Sequence, residues 1–346
     1  MWNEFKKNMT MKHPDLILVG DLHLRENTPF CRKDNFIETL CEKLTWLKNI
    51  QSYHNNPLIL FPGDIFHSHK PSFYLLNLIF ECFPIYSVII PGNHDLPFHN
   101  LNLYLRSGLS ILEHFLNHWN LNHWNRSIIS VATKPTRIVE CGGDVLLTLL
   151  PFGSEPKDFE SIEIKGKMTL QTGYKEVLLV HEYVFEPDRP PFPGCDYIDA
   201  NQLLDKYPGM DLIVAGDNHM PVYFEREGRK VICPGSFTRQ TFDQYDYQPK
   251  IWFWYKKTNH IESIDIPIKP AEDVFHNPDD SQVVRVLDTF NEFLEATMNA
   301  TVHEYDFFEM LKKYMSSKKF KNQYDKRVAE KILEAITEND PHSTSY

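Results

Sequence analysis

The hydrophobic positions of the first hundred residues follow two different periods, which predict alternating strands and helices. Apolar runs that fit buried strands lie at 16–19, 58–61 and 86–90. Between them, apolar residues recur at helical spacing from Phe36 to Leu47 and from Leu75 to Phe83. The second helix is expected to begin after Pro71-Ser72, a pair typical of a helix start. Strands joined by helices through short connections predict parallel pairing with right-handed crossovers.

From about residue 126 the pattern becomes rich in short strands. Residues 101–125 before it are predicted to form a helix followed by an irregular loop, and a short helix is expected at 201–206. The predicted strands lie at 127–131, 136–140, 145–150, 176–180, 212–215, 230–233 and 251–255. Together with the first hundred residues, these strands indicate an α/β fold.

The character of the sequence changes again near residue 270, where we place a domain boundary. Residues 1–13 are polar and are expected to be a loose N-terminus, whereas 14–269 are expected to form the α/β domain. Residues 270–346 are predicted to be a helical region, because an apolar stripe runs from Val283 to Leu294 and two further stripes follow it.

Composition and charge restrict the class of protein. With 346 residues, of which 42% are hydrophobic, the chain can bury a sizeable core, and no apolar stretch is long enough to span a membrane. The six cysteines are scattered and no signal-peptide pattern follows the first lysines, so we expect a cytoplasmic protein with reduced thiols. The net charge of −11 argues against broad, non-specific binding of nucleic acid. The lysines at 312–321 form either a confined basic strip or a solvated helix face.

Five of the predicted strands end in residues that can bind a metal ion. Parallel strands place their carboxyl ends at one edge of a sheet, where ligands collect, so we expect these residues to converge. They are Asp21 and His23, Asp64, Asn93 with His94 and Asp95, His181, and Asp217 with His219. A mixed set of oxygen and nitrogen donors suits Mn²⁺, Fe²⁺ or Zn²⁺ better than Ca²⁺. Two such ions, about 3.5–4 Å apart, could hold the attacking and leaving oxygens of a phosphoryl group.

The order of these blocks resembles the calcineurin-like metallophosphoesterase superfamily over about residues 15–265. Its signature is D-x-H, G-D, G-N-H-D, a lone His and G-H-x-H. The resemblance implies a four-layer αββα sandwich with two divalent ions, of which Mn²⁺ is expected and Mg²⁺, Fe²⁺ or Zn²⁺ are alternatives. The implied ligands of one ion are Asp21, His23, Asp64 and His219. Those of the other ion are Asp64, Asn93, His181 and the residue at position 217.

The resemblance also assigns a role to His94 and exposes a departure from the family pattern. His94 would bind no metal but would donate a proton to the leaving oxygen or stabilise charge, with Asp95 orienting it. At position 217 the family usually has His, whereas this chain has Asp. Aspartate is a harder ligand that suits Mn²⁺ or Mg²⁺. Asp217 therefore either tunes the second ion or faces solvent, in which case that ion is lost.

Two segments are similar to the nuclease subunit of SbcCD-type DNA-repair complexes, and the short chain resembles phage-encoded members of that branch. These segments are 63–72 (G-D-I-F-H-S-H-K-P-S) and 234–236 (P-G-S). In that branch the residue at the position of His67 assists 3′–5′ exonuclease action, and the alternative is an ordinary helix-capping or surface His. Ser236 and Arg239 could hold a substrate phosphate, or their segment could form only a turn.

The preferred interpretation is a Mn²⁺-dependent DNA exonuclease and endonuclease subunit that processes DNA ends in recombination or repair. It implies DNA, an SMC-like ATPase of the SbcC type and a second copy of this chain as partners, with no membrane. The C-terminal helices would form a reduced cap, dock the ATPase coiled coil or fold back on the core. Two alternatives share the core motifs: a phosphatase or phosphodiesterase acting on small molecules or phosphoproteins, and a one-metal scaffold protein.

Overall fold

Two β-sheets and the helices that connect their strands make up most of the described chain. The structure, a computed structural model, describes residues 12–120, 128–154, 164–165, 169–187 and 197–276. Its α-helices are α1 (Phe36–Tyr53), α2 (Phe73–Cys82), α3 (Gly108–Asn120), α4 (Ala200–Lys206) and α5 (Ala271–Val274). Its strands are β1 (Leu16–Leu18), β2 (Leu58–Phe61), β3 (Tyr86–Ile89), β4 (Ile128–Val131), β5 (Thr136–Glu140), β6 (Val145–Leu150), β7 (Ile164–Lys165), β8 (Lys175–Val180), β9 (Val184–Phe185), β10 (Ile198–Asp199), β11 (Leu212–Ala215), β12 (Val222–Arg226), β13 (Arg229–Cys233), β14 (Lys250–Tyr255) and β15 (His260–Asp265).

The first sheet has the strand order β15-β14-β1-β2-β3-β4. Strands β1 to β4 are parallel to their neighbours, whereas β14 pairs with β1 in the antiparallel direction and places Phe253 opposite Ile17. Helices α1, α2 and α3 connect the parallel strands in sequence. The predicted strand–helix–strand units with parallel pairing are confirmed.

The second sheet has the order β12-β13-β11-β8-β6-β5-β7 among the described strands. Strands β6, β8, β11 and β13 are parallel, and β12 and β5 are antiparallel to β13 and β6. The sequence pattern does not predict β12 or β15. Both strands contain charged residues and are only partly buried, so they lack the continuous apolar run that marks a strand covered on both faces.

Alternate residues of the central strands pack into different hydrophobic layers. In β1, Ile17 packs with residues of α1, α2 and α3, whereas Leu16 and Leu18 pack between the sheets. In β8, Leu179 packs between the sheets, whereas Leu178 packs with residues of α4. The layers are therefore helices, first sheet, second sheet and helix. The predicted four-layer αββα sandwich is confirmed.

The helices begin where local side chains satisfy their free backbone N–H groups. The Ser72 side chain accepts a hydrogen bond from Leu75 N, which confirms the predicted start of α2. Asn35 caps α1 in the same way, and Asp199 forms a reciprocal capping box with Gln202 at the start of α4. These caps set the points at which the chain leaves the strand ends and enters each helix.

A second unit, described by itself, comprises residues 29–34, 240–246 and 269–346. Its described core is small and consists of Cys31, Phe242, Val274 and Phe275. The helices predicted beyond residue 276 and most of the predicted loose N-terminus lie outside the described residues. The boundary near residue 270 stays a prediction.

The described cysteines are free thiols: Cys31, Cys41, Cys82, Cys141 and Cys233. Burial raises the pKa of Cys82 and of Cys141 to about 12, which leaves both as unreactive thiols near neutral pH. In the part of the chain that the structure describes, no helix is long and apolar enough to cross a bilayer.

The layer between the sheets is expected to carry much of the stability. Leu179→Ala should lower the free energy of unfolding by about 2–5 kcal/mol in urea denaturation, because it removes buried methyl groups and leaves a cavity. Leu105→Ala is the matched control, since Leu105 is 86% exposed, and it should change that free energy by less than about 0.5 kcal/mol. Equal losses in the two variants would contradict this description of the core.

Candidate metal centre

The residues that follow five parallel strands meet at one centre. Asp21 and His23 follow β1, Asp64 follows β2, Asn93 to Asp95 follow β3, His181 follows β8, and Asp217 and His219 follow β11. Among the described residues, three groups of possible ligands have all their atoms within 4.8 Å of one another: one joins His23 to His67 and His94, and the other two consist of these strand-end residues alone. Of these two, the first group is Asp21, His23 and His219, and the second is Asp64, His181 and Asp217.

The first group brings two imidazoles and a carboxylate together. His23 Nε2 lies 2.9 Å from His219 Nε2 and 3.5 Å from Asp64 Oδ2. Burial, reinforced by the neighbouring His219 and His94, holds the pKa of His23 well below its usual value. A neutral imidazole has a lone pair available for a metal ion. Two ligand atoms that each lie about 2.1 Å from the same ion are roughly 3–3.5 Å from one another, which is the range of the distances at this group.

The second group is centred on His181. Its Nδ1–H donates to the Pro62 carbonyl at 2.7 Å, which directs the Nε2 lone pair into the centre. Nε2 lies 3.1 Å from Asn93 Oδ1, 3.6 Å from Asp64 Oδ2 and 3.8 Å from Asp217 Oδ1. Each of these neighbours offers an oxygen, so the donors are one nitrogen and three oxygens.

Buried oxygens without hydrogen bonds show that the centre fits cations. Asp64 Oδ2 faces both His23 and His181, yet it accepts no hydrogen bond, and neither does Asp21 Oδ1. Burial and the nearby charges of Asp64 and Asp217 raise the pKa of Asp21 well above its usual range. Closely spaced buried carboxylates without donors are costly unless a positive charge compensates them. The residues present therefore fit a pair of divalent ions with Asp64 between them.

The loops that carry the ligands approach one another closely at this edge of the sheets. His23, Asp64 and Asp217 have left-handed φ values of 43°, 50° and 71°. Both Leu22 N and His23 N donate to the Asp64 carbonyl, and Asp217 N donates to Asp21 Oδ2 at 2.9 Å. A Cβ on Gly92 would collide with the Asp64 side chain and amide, which explains the glycine before Asn93.

Asp95 joins two of the ligand-bearing loops. It is fully buried, and its two carboxylate oxygens accept hydrogen bonds from Phe66 N at 2.9 Å, Gly92 N at 3.1 Å and Ile65 N at 3.2 Å. The expectation that Asp95 orients the His94 imidazole was wrong, because these bonds use the carboxylate to connect the loops after β2 and β3. Its direct role in catalysis stays a prediction.

The His94 imidazole is oriented by a backbone carbonyl instead. His94 Nδ1 lies 2.9 Å from the His67 carbonyl, and His94 N donates to Asp64 Oδ1 at 3.0 Å. The His67 ring stacks on the His94 ring with centroids 5.7 Å apart, and the His23 ring lies 4.9 Å from that of His94. Burial and the charge of Arg25 lower the pKa of His67 to about 3. His67 and His94 thus form an imidazole pair beside the first ligand group.

Ser236 and Arg239 lie in the loop after β13, and both are buried. Ser236 Oγ donates to the Thr238 carbonyl at 2.5 Å, and Ser236 N donates to the His219 carbonyl at 2.9 Å. These are the contacts of a turn that supports His219. Phosphate binding by the two residues stays a prediction.

The sequence interpretation missed two aromatic residues that border the second group. The Phe152 ring lies 6.0 Å from the His181 ring, and the His99 ring lies 6.0 Å from the Phe152 ring. Phe152 follows the parallel strand β6, so its position at a strand end was the available signal. It carries no metal ligand and therefore did not stand out.

The pH dependence of stability should report on Asp95. Burial and the charge of Asp64 raise the pKa of Asp95 to about 7. A group whose pKa is higher in the folded chain than in the unfolded chain stabilises the fold most at low pH, and that contribution is lost as pH rises through the folded pKa. In metal-free protein, the unfolding free energy of wild type minus that of Asp95→Asn should fall by roughly 2–4 kcal/mol between about pH 4 and about pH 8.

Urea denaturation with a chelator present at each pH measures this difference. Asp265→Asn is the control, because the Asp265 side chain is 62% exposed, and its difference from wild type should stay nearly constant. A difference for Asp95→Asn that is flat, or that rises with pH, would contradict a raised pKa at this carboxyl.

Metal preference should depend on Asp217. Asp217→His replaces a hard oxygen donor by an imidazole, so the ratio of bound Zn²⁺ to bound Mn²⁺ should rise several-fold when both ions compete. Elemental analysis of the dialysed protein gives the ratio and the number of ions. Asp217→Asn keeps the shape and removes the charge, so it should weaken one of two binding events. Unchanged binding in both variants would mean that Asp217 is not a ligand.

Similar solved structures have low sequence identity to this chain. An archaeal phosphodiesterase is 13% identical, with a TM-score of 0.38 over 72% of this chain and 98% of that one. A dimetal phosphatase from Danio rerio is 12% identical, with a TM-score of 0.40 over 74% and 100% of the two chains. A phosphopantetheinyl hydrolase from Mycobacterium tuberculosis is 14% identical, with a TM-score of 0.37 over 73% and 96%.

The family itself is identified from sequence. A search of curated proteins gives no match. The model of the calcineurin-like phosphoesterase family matches residues 15–221, which is more than half of the chain and contains both ligand groups. The protein is therefore a member of the calcineurin-like phosphoesterase family, and its centre is that of a metal-binding hydrolase of phosphoester bonds.

Proposed function

We propose that this protein is a metal-dependent nuclease subunit that hydrolyses phosphodiester bonds at DNA ends, together with an SMC-like ATPase of the SbcC type. The observation that carries the proposal is the imidazole pair of His67 and His94 beside the first ligand group. His67 belongs to the segment G-D-I-F-H, whose resemblance to the SbcCD-type nuclease subunit led to the same expectation from sequence.

Two ions would be held by the two ligand groups. The first ion would be bound by Asp21, His23, Asp64 and His219. The second would be bound by Asp64, Asn93, His181 and Asp217. When bound, the ions would supply positive charge to the phosphoryl oxygens and lower the pKa of a bound water. We expect Mn²⁺ in both sites, because the donors are mainly oxygen together with imidazole nitrogen.

His94 is the residue that can move a proton at the leaving oxygen. Its Nδ1–H donates to the His67 carbonyl, which leaves Nε2 as the atom that can reach a substrate. Breaking a phosphodiester releases a sugar oxygen that must take up a proton, and a general acid supplies it. The neutral His67 ring, stacked on His94, limits the rotation of that imidazole without adding a competing charge.

The net charge of −11 is the reason to include a partner in the proposal. An acidic chain attracts a polyanion weakly by itself, so the DNA would be brought to the centre by another protein. The helices predicted beyond residue 276 are the candidate docking segment for the ATPase coiled coil. A second copy of the chain in the complex is part of the same proposal.

His94→Ala should abolish most of the activity on DNA. With Mn²⁺ and linear duplex DNA, in the presence and absence of the ATPase, we expect kcat to fall by roughly 10²–10⁴-fold with little change in KM, because a proton donor is lost while the ligands stay. His69→Ala is the matched control, since His69 is two residues from His67 along the chain but belongs to none of the groups of possible ligands, and it should keep nearly full activity.

The choice of substrate separates the proposal from its alternatives. A protein that leaves linear DNA intact but hydrolyses a small chromogenic phosphodiester in a His94-dependent manner would be a small-molecule phosphodiesterase. A protein that binds one ion and turns over neither substrate would be a scaffold. Either result would overturn the proposed nuclease function.

A further inference from the structure

Phe98 combines two features that are unfavourable in a folded protein. Its side chain is 73% exposed, and its backbone is left-handed, with φ 52° and ψ 30°. His99, which follows it, is also left-handed, with φ 53°. The left-handed conformation is costly for bulky residues because Cβ approaches the backbone. Such outliers persist where the surrounding structure enforces them, and they cluster at functional sites.

Backbone hydrogen bonds tie this strained turn to the metal centre. Leu96 N donates to the Asn93 carbonyl at 3.3 Å, and His99 N donates to the Leu96 carbonyl at 3.2 Å. Leu96 and Pro97 are buried, so they anchor the turn from below. The Phe98 ring is therefore presented to solvent from a backbone that begins at a ligand of the second group.

Ring contacts place the same turn beside His181. The rings of His99 and Phe152 are 6.0 Å apart, as are those of Phe152 and His181. Burial and the nearby His94 lower the pKa of His99, and the charges of Asp64 and Asp217 partly offset that lowering. Phe98 thus lies in a turn that is hydrogen-bonded back to Asn93 and flanked by His99, and it belongs to none of the ligand groups. The five residues from His94 to Phe98, in a tightly turned chain, span roughly 10 Å. A nucleotide next to a phosphate bound at the centre can reach across that distance.

The exposed phenyl ring of Phe98 is best suited to contact a flat aromatic group of a substrate. A nucleobase stacks on such a ring whatever its sequence, because every base has a π-face. Stacking needs no positive charge on the protein, which agrees with a net charge of −11. An aliphatic or peptide substituent would gain less from a single exposed ring.

We propose that Phe98 is a stacking platform for the nucleobase next to the scissile phosphate, so that the protein selects nucleotide phosphodiesters over other phosphodiesters. The inference rests on the proposed function in so far as the base belongs to DNA. The base of a small nucleoside phosphodiester offers the same chemistry. The experiment below separates the two sources.

The test compares Phe98→Ala, Phe98→Leu and Phe98→Trp with wild type on matched substrates. One pair is linear DNA with intact terminal nucleotides and the same DNA with abasic terminal residues. The other pair is the p-nitrophenyl ester of thymidine 5′-phosphate and methyl p-nitrophenyl phosphate. The Ala and Leu variants should raise KM about tenfold on the base-containing member of each pair and leave kcat unchanged. The Trp variant should retain the wild-type KM.

Three results would be decisive. Equal KM changes with and without the base, or no change at all, would overturn the platform even if wild type cleaves DNA. A wild type that ignores DNA but shows the Phe98 effect on the thymidine ester would support the platform and overturn the DNA nuclease proposal. Thermal unfolding of all three variants should match wild type, because the ring is exposed and each substitute keeps a Cβ at φ 52°.

Discussion

The Asp64 carboxylate, buried at the meeting point of two imidazoles, is the constraint on which the rest of the centre depends. Its Oδ2 faces His23 and His181 at 3.5 and 3.6 Å and accepts no hydrogen bond. Its Oδ1 is bonded to His94 N, and its carbonyl accepts from the backbone after β1. Asp64 thereby contacts both ligand groups and the backbone of His94. Its left-handed φ of 50° accompanies these close contacts.

Asp64 stays in this position because other groups hold the chain around it. Asp95 fixes the two loops with three backbone hydrogen bonds, and Gly92 leaves the space that the Asp64 carboxylate occupies. Burial, together with repulsion from neighbouring carboxylates, raises the pKa values of Asp21 and Asp95. Divalent cations would relieve that repulsion. The cost of burying these carboxylates close together is therefore the basis for metal binding at the centre.

His94 and the strained turn at Phe98 belong to the same short loop after β3. The His94 ring lies against that of His23 and the Phe98 side chain is exposed to solvent, although only three residues lie between them. The tight turns that start at Asn93 make this possible, because each reverses the chain within a few residues. A loop of this kind can contact both the reacting phosphate, through His94, and the neighbouring group of the substrate, through Phe98.

The sequence by itself determined the strands that carry ligands, since a continuous apolar run that ends in Gly-Asp, Asp-x-His or Gly-Asn-His-Asp needs no tertiary information to be recognised. It also determined the helix start at Ser72 and the α/β class of fold, whereas the four-layer arrangement was implied by the family resemblance. Only the tertiary structure decided what each polar atom contacts. Asp95 could not be assigned from its place beside His94, because hydrogen bonds join loops that are about thirty residues apart in the chain. The exposure and left-handed backbone of Phe98 were equally invisible, since they arise where the turn after Asn93 packs through Leu96 and Pro97, and local residue type does not encode that packing.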